Sequence, residues 1–337
     1  MGQRDAYYDY IRAFAALLVL LCHKGKMPGG SIGVSIFFCL SGFLITRILI
    51  RMHSISAPDI AGFIFRRFMR IFPLYVTTLG VAVILAWGFR PDVLPRLIDG
   101  LPGLLTFTHL PVDTGYATAV AWSLHAEFWF YLVFPVVFAL THKRGLLPLV
   151  IAISIGVSIW AKNNDGGTPE SWPIRGDQWL TILYLDQLMY GAICAVLIEK
   201  KSSIVGLFSS RLWFWGALIA NLAIAKIAPL SHWHLEMSIA ALICAIAILH
   251  HGASKTELQY NFIAWIGRIS FSLYLVHAVV LDYLPYEKLP DVLDTPSFLA
   301  ITFALSFVTE RFVERPGIRI ARLKHHPVIA RSLDISG

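Results

Sequence analysis

Charge is what this sequence has least of. Only 15% of its 337 residues are Asp, Glu, Lys or Arg, where a soluble domain carries about 25%. Set beside 57% apolar residues and a mean hydropathy of +0.66, this excludes an ordinary water-soluble domain. The composition indicates an all-α, polytopic membrane helical bundle. Cysteine is scarce as well: Cys22, Cys39, Cys194 and Cys244 all fall inside apolar runs. None lies in a loop where a disulfide or a structural zinc site is natural, so all four read as packing residues. Cys22 adjoins His23, but neighbours on a helix point about 100° apart and make a poor nucleophile–base pair. Internal repeats and low-complexity linkers are absent too. The net charge of +7 does not require nucleic acid as a partner, because basic residues gather at the cytoplasmic ends of membrane spans.

What is present is apolar sequence in blocks. Ten stretches qualify as candidate spans, near 7–23, 33–50, 71–88, 122–140, 146–161, 179–198, 212–228, 235–250, 269–285 and 296–312. The expected fold is therefore a bundle of about ten transmembrane helices, with residues 1–316 as one domain and 317–337 as a basic cytoplasmic tail. The first stretch resembles a signal peptide in length. It has acidic residues where a basic segment belongs and no small-residue cleavage site, so it is expected to stay as a span. The N-terminus, the tail and every second loop together hold 17 Lys and Arg, against 7 in the alternate loops. That asymmetry predicts a cell-membrane protein with both termini in the cytoplasm. Among the outer connections, Leu101–His109 is too short to span and suits a re-entrant or interfacial piece lining a cavity. The outer loop 162–178 reads as a polar turn with interfacial tryptophans.

Four stretches carry candidate chemistry. In the first span, Asp5, Asp9 and Arg12 precede the apolar run and His23 ends it. Arg12 and His23 are 11 positions apart, which places both on one helix face about 16 Å from each other. Ionisable groups at such depth normally face a bundle interior or a wet cavity. The plainer alternative has Arg12 snorkelling at one end and His23 in the opposite headgroup layer. The second stretch is Phe37-Phe38-Cys39-Leu40-Ser41-Gly42-Phe43, where Ser41 and Gly42 admit the close approach of another backbone or a slim ligand. Third comes Phe65-Arg66-Arg67-Phe68-Met69-Arg70-Ile71-Phe72-Pro73. There Arg66, Arg67 and Arg70 form a basic cluster, either a bidentate phosphate site or ordinary positive-inside anchoring. The fourth is Trp122-Ser123-Leu124-His125-Ala126-Glu127-Phe128-Trp129-Phe130-Tyr131. Its Glu127 lies about 8 Å below the start of the span, near the depth expected for His23, so an imidazole–carboxylate pair is expected. His232-Trp233-His234 suggests a metal only weakly, with no carboxylate or third histidine nearby, and no metal is expected. His250-His251 and His325-His326 read as interfacial.

Taken together these stretches resemble the acyltransferase 3 family of multi-pass membrane enzymes, which O-acylate carbohydrates and related acceptors. The matching features are the Arg12-to-His23 spacing, the FFxxSGF, RRxxRIxPLY and WSLxxExxFY stretches, Ile266-Gly267-Arg268-Ile269-Ser270, Ser272-Leu273-Tyr274-Leu275-Val276-His277 and Glu314-Arg315-Pro316. One departure is Tyr10 after Asp9, where the family more often has Gly. The resemblance covers nearly the whole chain. It implies O-acyl transfer, most often O-acetyl transfer, from cytoplasmic acyl-CoA (acetyl-CoA) as co-substrate to a hydroxyl of a glycan or glycosylated acceptor. His23 would act as general base or transient acyl carrier, Glu127 would hold its tautomer, and Arg12 would engage the donor. Arg66, Arg67, Arg70, Ser41 and Gly42 would contact the donor. With no esterase-like domain after the tail, the bundle is expected to act alone or with a partner protein. The alternative from another class is a transporter or flippase for a lipid-linked or secreted glycan, although two-fold repetition and paired broken helices are lacking.

Overall fold

The computed structural model describes residues 5–27, 29–52, 55–110, 114–164, 178–227, 233–255, 258–283 and 290–323. Most of the outer loop 162–178, the side chains of His232-Trp233-His234, and the end of the tail with His325 and His326 lie outside the described residues. Among the described residues every regular element is helical. In order they are α1 (Ala6–His23), α2 (Gly30–Arg51), α3 (Ala57–Phe89), α4 (Leu94–Thr106), α5 (Tyr116–Ala119), α6 (Ala121–Thr141), α7 (Leu147–Asn164) and α8 (Gln178–Leu183). Then follow α9 (Leu185–Glu199), α10 (Ser203–Gly206), α11 (Leu212–Ile227), α12 (Trp233–Ser254), α13 (Phe262–Arg268), α14 (Ser270–Tyr283), α15 (Asp291–Thr309), a π-helical turn (Glu310–Glu314) and α16 (Arg315–Leu323).

Each apolar stretch of the sequence falls on one of these helices, with 179–198 divided between α8 and α9. Among the described residues, five segments can cross a membrane by length and composition, and the bent pair α13–α14 makes a sixth. Helix α1 falls outside that set because of its polar first turns, and α7 and α11 because they are short. Large apolar side chains face outward, with Trp87 76%, Leu212 80% and Phe312 71% exposed. A belt of that kind suits lipid and not water.

Local chemistry explains the helix ends. Asp5 caps α1 by accepting from the Tyr7 amide at 3.1 Å, and Ser56 with Asp59 forms a capping box that starts α3. Pro73 interrupts α3 without breaking it, and the Thr77 hydroxyl donates back to the Pro73 carbonyl at 2.8 Å. Pro316 has no N–H to give Phe312, and the ladder widens to the π turn just before it. That turn is tied to its surroundings by polar side chains. Arg315 Nε lies 2.6 Å from Glu310, and the Ser272 hydroxyl donates to Glu314 at 2.8 Å.

Helix α2 is the centre of the bundle, with 72% of its most apolar window buried. It runs beside α9, and two glycines let the backbones touch. A Cβ at Gly42 would fall 1.8 Å from the Leu188 carbonyl oxygen, and one at Gly191 would fall 1.9 Å from that of Cys39. The pair closes on polar side chains, where Arg47 and Arg51 both reach Glu199 Oε1, at 3.1 and 2.7 Å. On the other side of α2, α1 packs against α13 and α14, and α6 and α3 complete the wall.

Candidate active site

Between α1, α2, α3, α6 and α14 lies a cavity of about 100 Å³. Its lining includes Arg12, Ser41, Arg67, Arg70, Ser123, Glu127, Tyr131, Ser270 and Tyr274. Thus five of the eight residues singled out in the sequence meet in one place. Arg66 and Gly42 are not part of the lining: Gly42 is taken up by the α9 backbone. His23 lies beyond the cavity's other end.

At the Arg12 end, α1 supplies a guanidinium held at 2.9 Å by Asp9, which is itself fully buried. Asp9 is clamped in turn, since Gly267 of α13 packs directly on its carbonyl. Opposite, α3 presents Arg67 and Arg70 one turn apart. Arg67 sits over two rings, Phe63 at 5.4 Å and Tyr131 at 5.9 Å. Such placement stabilises a cation away from bulk water. Its charge also acts on Glu127.

Glu127 does not form the expected pair with His23. Its carboxylate accepts from the hydroxyls of Ser41 and Tyr131. The reason is depth. Tyr274 lies three residues before His277 on α14, and its hydroxyl meets Ser123 at 2.7 Å. Glu127 is a further four residues along α6, so it sits roughly 10 Å below the level of the histidine. Counting from the start of a span misplaced it because α5 precedes α6 and shifts its register relative to α1.

His23 pairs instead with His277. The two rings meet edge to edge, their planes 8° from parallel and their centroids 5.1 Å apart. Nδ1 of His23 lies 2.8 Å from Nε2 of His277, whose own Nδ1 lies 3.1 Å from the Leu273 carbonyl. Tyr116 of α5 covers His23 with ring centroids 5.6 Å apart. This short helix is pinned by Asp282, whose carboxylate accepts from the Tyr116 and Ala117 amides at 2.9 and 2.7 Å. Tyr274 separates the cavity from the histidines. Its ring lies 5.8 Å from that of His277, and its hydroxyl donates to the Val120 carbonyl at 2.9 Å. His277 and Tyr131 had no role assigned from sequence. Tyr131 was within reach of that reading, being four residues after Glu127 on one helix face.

A pocket lined by three arginines and a carboxylate, with a paired imidazole behind Tyr274, lies inside a bundle of apolar helices, the setting of an integral-membrane protein with buried polar groups. The family comparison makes the class specific: the acyltransferase-domain model matches residues 5–311, and the chain belongs to that family, acyltransferase 3. Among curated proteins it is similar to the acyltransferase MdmB of Streptomyces mycarofaciens, 28% identical over 81% of this chain and 78% of the relative. It is also similar to the peptidoglycan O-acetyltransferase OatA of Listeria monocytogenes, 25% identical over 91% of this chain and 55% of the relative. A putative O-acetyltransferase of Staphylococcus aureus is 23% identical over 91% of this chain and 56% of the relative. The chain thus spans only about half the length of the latter two. No solved structure matches it. The protein is a membrane acyltransferase.

Proposed function

We propose that this chain moves an acyl group, most simply acetyl, from cytoplasmic acyl-coenzyme A to a hydroxyl of a glycan or glycosylated acceptor on the other side of the membrane. The carrying observation is the order of groups along one path. Arg12, Arg67 and Arg70 line the cavity, Tyr274 ends it, and the His23–His277 pair stands behind Tyr274. Coenzyme A is anionic at its nucleotide end and slim along its pantetheine arm. The arginines suit its phosphates, while the arm threads between Ser41 and Tyr274 toward His23. Tyr274 is the last side chain between the thioester and His23, and it swings aside for transfer.

His23 then acts as general base. It takes the proton of the acceptor hydroxyl as that oxygen attacks the thioester carbonyl. The carbon–sulfur bond breaks with its electron pair on sulfur, and the proton passes from His23 to the departing thiolate. Glu127, held by Ser41 and Tyr131, serves as counter-charge to Arg67. The transporter or flippase alternative has no comparable support, since the relatives are named as acyltransferases and O-acetyltransferases.

The test uses purified protein in lipid nanodiscs with labelled acetyl-coenzyme A, and surface glycans of producing cells read by mass spectrometry. The parent should release coenzyme A and acetylate a glycan. His23→Ala should bind coenzyme A but transfer nothing, and His23→Gln should not restore transfer, because glutamine cannot take the proton. A well-folded His23→Ala variant with parental turnover overturns the proposal.

A further inference from the structure

The hydrogen bonds around His277 fix where protons sit, and that has a consequence for His23. The Leu273 carbonyl can only accept, so the Nδ1 that faces it at 3.1 Å carries the hydrogen. A neutral imidazole has one N–H, which leaves Nε2 of His277 with a lone pair. That lone pair faces Nδ1 of His23 at 2.8 Å. Nδ1 of His23 must therefore be the donor, and its lone pair is on Nε2. A backbone carbonyl one turn away on α14 sets the tautomer of a side chain on α1, with His277 as relay. Burial keeps the relay dry, since His277 is fully buried.

We propose that His277 is a positioning residue for acyl transfer, holding His23 in the Nδ1–H tautomer so that Nε2 is presented as the base. This inference rests on the assignment of His23 as the base. Free imidazole side chains favour hydrogen on Nε2, the reverse of what the reaction needs. Without its partner, His23 would spend most of its time with the wrong nitrogen protonated and its ring free to turn. When Nε2 takes the acceptor proton, His23 becomes an imidazolium, and its Nδ1–H still donates to the neutral His277. The positive charge thus keeps a partner at the moment it forms, and no second proton has to move. The edge-to-edge geometry, with rings 8° from parallel, leaves the Nε2 edge of His23 on the side away from His277. Tyr116 of α5 lies against the His23 ring, with 5.6 Å between centroids.

The experiment reads the tautomer directly. Protein carrying ¹³C,¹⁵N-histidine in nanodiscs is compared by solid-state NMR with His23→Gln, which assigns the His23 signals. The parent should show His23 protonated on Nδ1 and unprotonated on Nε2. His277→Leu should return His23 to the Nε2–H form and lower kcat by about 10²-fold or more, with the donor KM little changed. His277→Gln should recover part of that kcat, since its side-chain oxygen occupies the place of Nε2 and accepts from His23. Finding His23 protonated on Nε2 in the parent overturns the proposal even if the leucine variant fails to fold. Full kcat in a folded His277→Leu variant overturns it too. A parent that shows the Nδ1–H tautomer but transfers no acetyl group would refute the functional assignment instead.

Discussion

Replacing Arg70 by alanine gives the cleanest measure of the donor site. Arg67 and Arg70 both line the cavity, but they are not equivalent. Arg67 stands over the Phe63 and Tyr131 rings and its charge acts on Glu127. Removing it takes a neighbouring positive charge from the half-buried Glu127 carboxylate, which lowers stability. Arg70 stands over neither ring, so its loss should fall mainly on the donor. A charge-assisted phosphate contact is worth about 1.5–3 kcal/mol, which predicts a rise in KM for acetyl-coenzyme A of about 10- to 150-fold. Most of kcat should survive at saturation, because the contact is made equally before and during transfer. The assay is thiol release from acetyl-coenzyme A in nanodiscs, titrated over donor, with thermal unfolding measured in parallel. Arg67→Ala should lower both donor affinity and unfolding temperature. Adding Glu127→Gln to it should recover stability but not affinity, since it removes the carboxylate charge that Arg67 balanced and supplies no phosphate contact. A donor KM for Arg70→Ala within about twofold of the parent would refute a phosphate site there, and a change confined to acceptor KM would make the arginines membrane anchors.

Two further expectations follow from other parts of the molecule. A reporter fused after the tail should be active only in the cytoplasm, as the asymmetry of 17 against 7 basic residues requires. Periplasmic activity would reverse the side from which the donor enters. Asp282→Ala should free the first turn of α5 at a cost of about 0.5–2 kcal/mol, seen as a lower unfolding temperature. Because α5 carries Tyr116 over His23, acceptor KM should rise while donor KM holds, and an unchanged acceptor KM would separate α5 from acceptor binding.

The helices were legible because each span needs a long apolar block, and no other element writes that pattern so plainly. The arginine cluster and Glu127 were legible as well, since charge inside such blocks is rare enough to stand out. Partnership was not. Nothing in the spacing of His23 and His277, which are 254 residues apart, tells that their rings meet. The pairing depends on α13 and α14 meeting at a bend of 73°, and on Gly267 letting α13 seat against Asp9. Sequence also leaves open which neighbour a small residue admits. Gly42 could face a ligand or a helix, and packing against Leu188 decides for the helix.

The proposed reaction hands a group from one side of a membrane to the other, and an enzyme that does so must not become a leak. A path wide enough for a thioester arm is wide enough for a file of water, and such a file conducts protons down the membrane potential. Along the proposed path the ring of Tyr274 stands between the cavity and the histidines, latched by its hydroxyl to Ser123 and the Val120 carbonyl. The latch makes insulation the resting condition. Passage then becomes a brief event, in which the arm itself replaces the ring as the stopper.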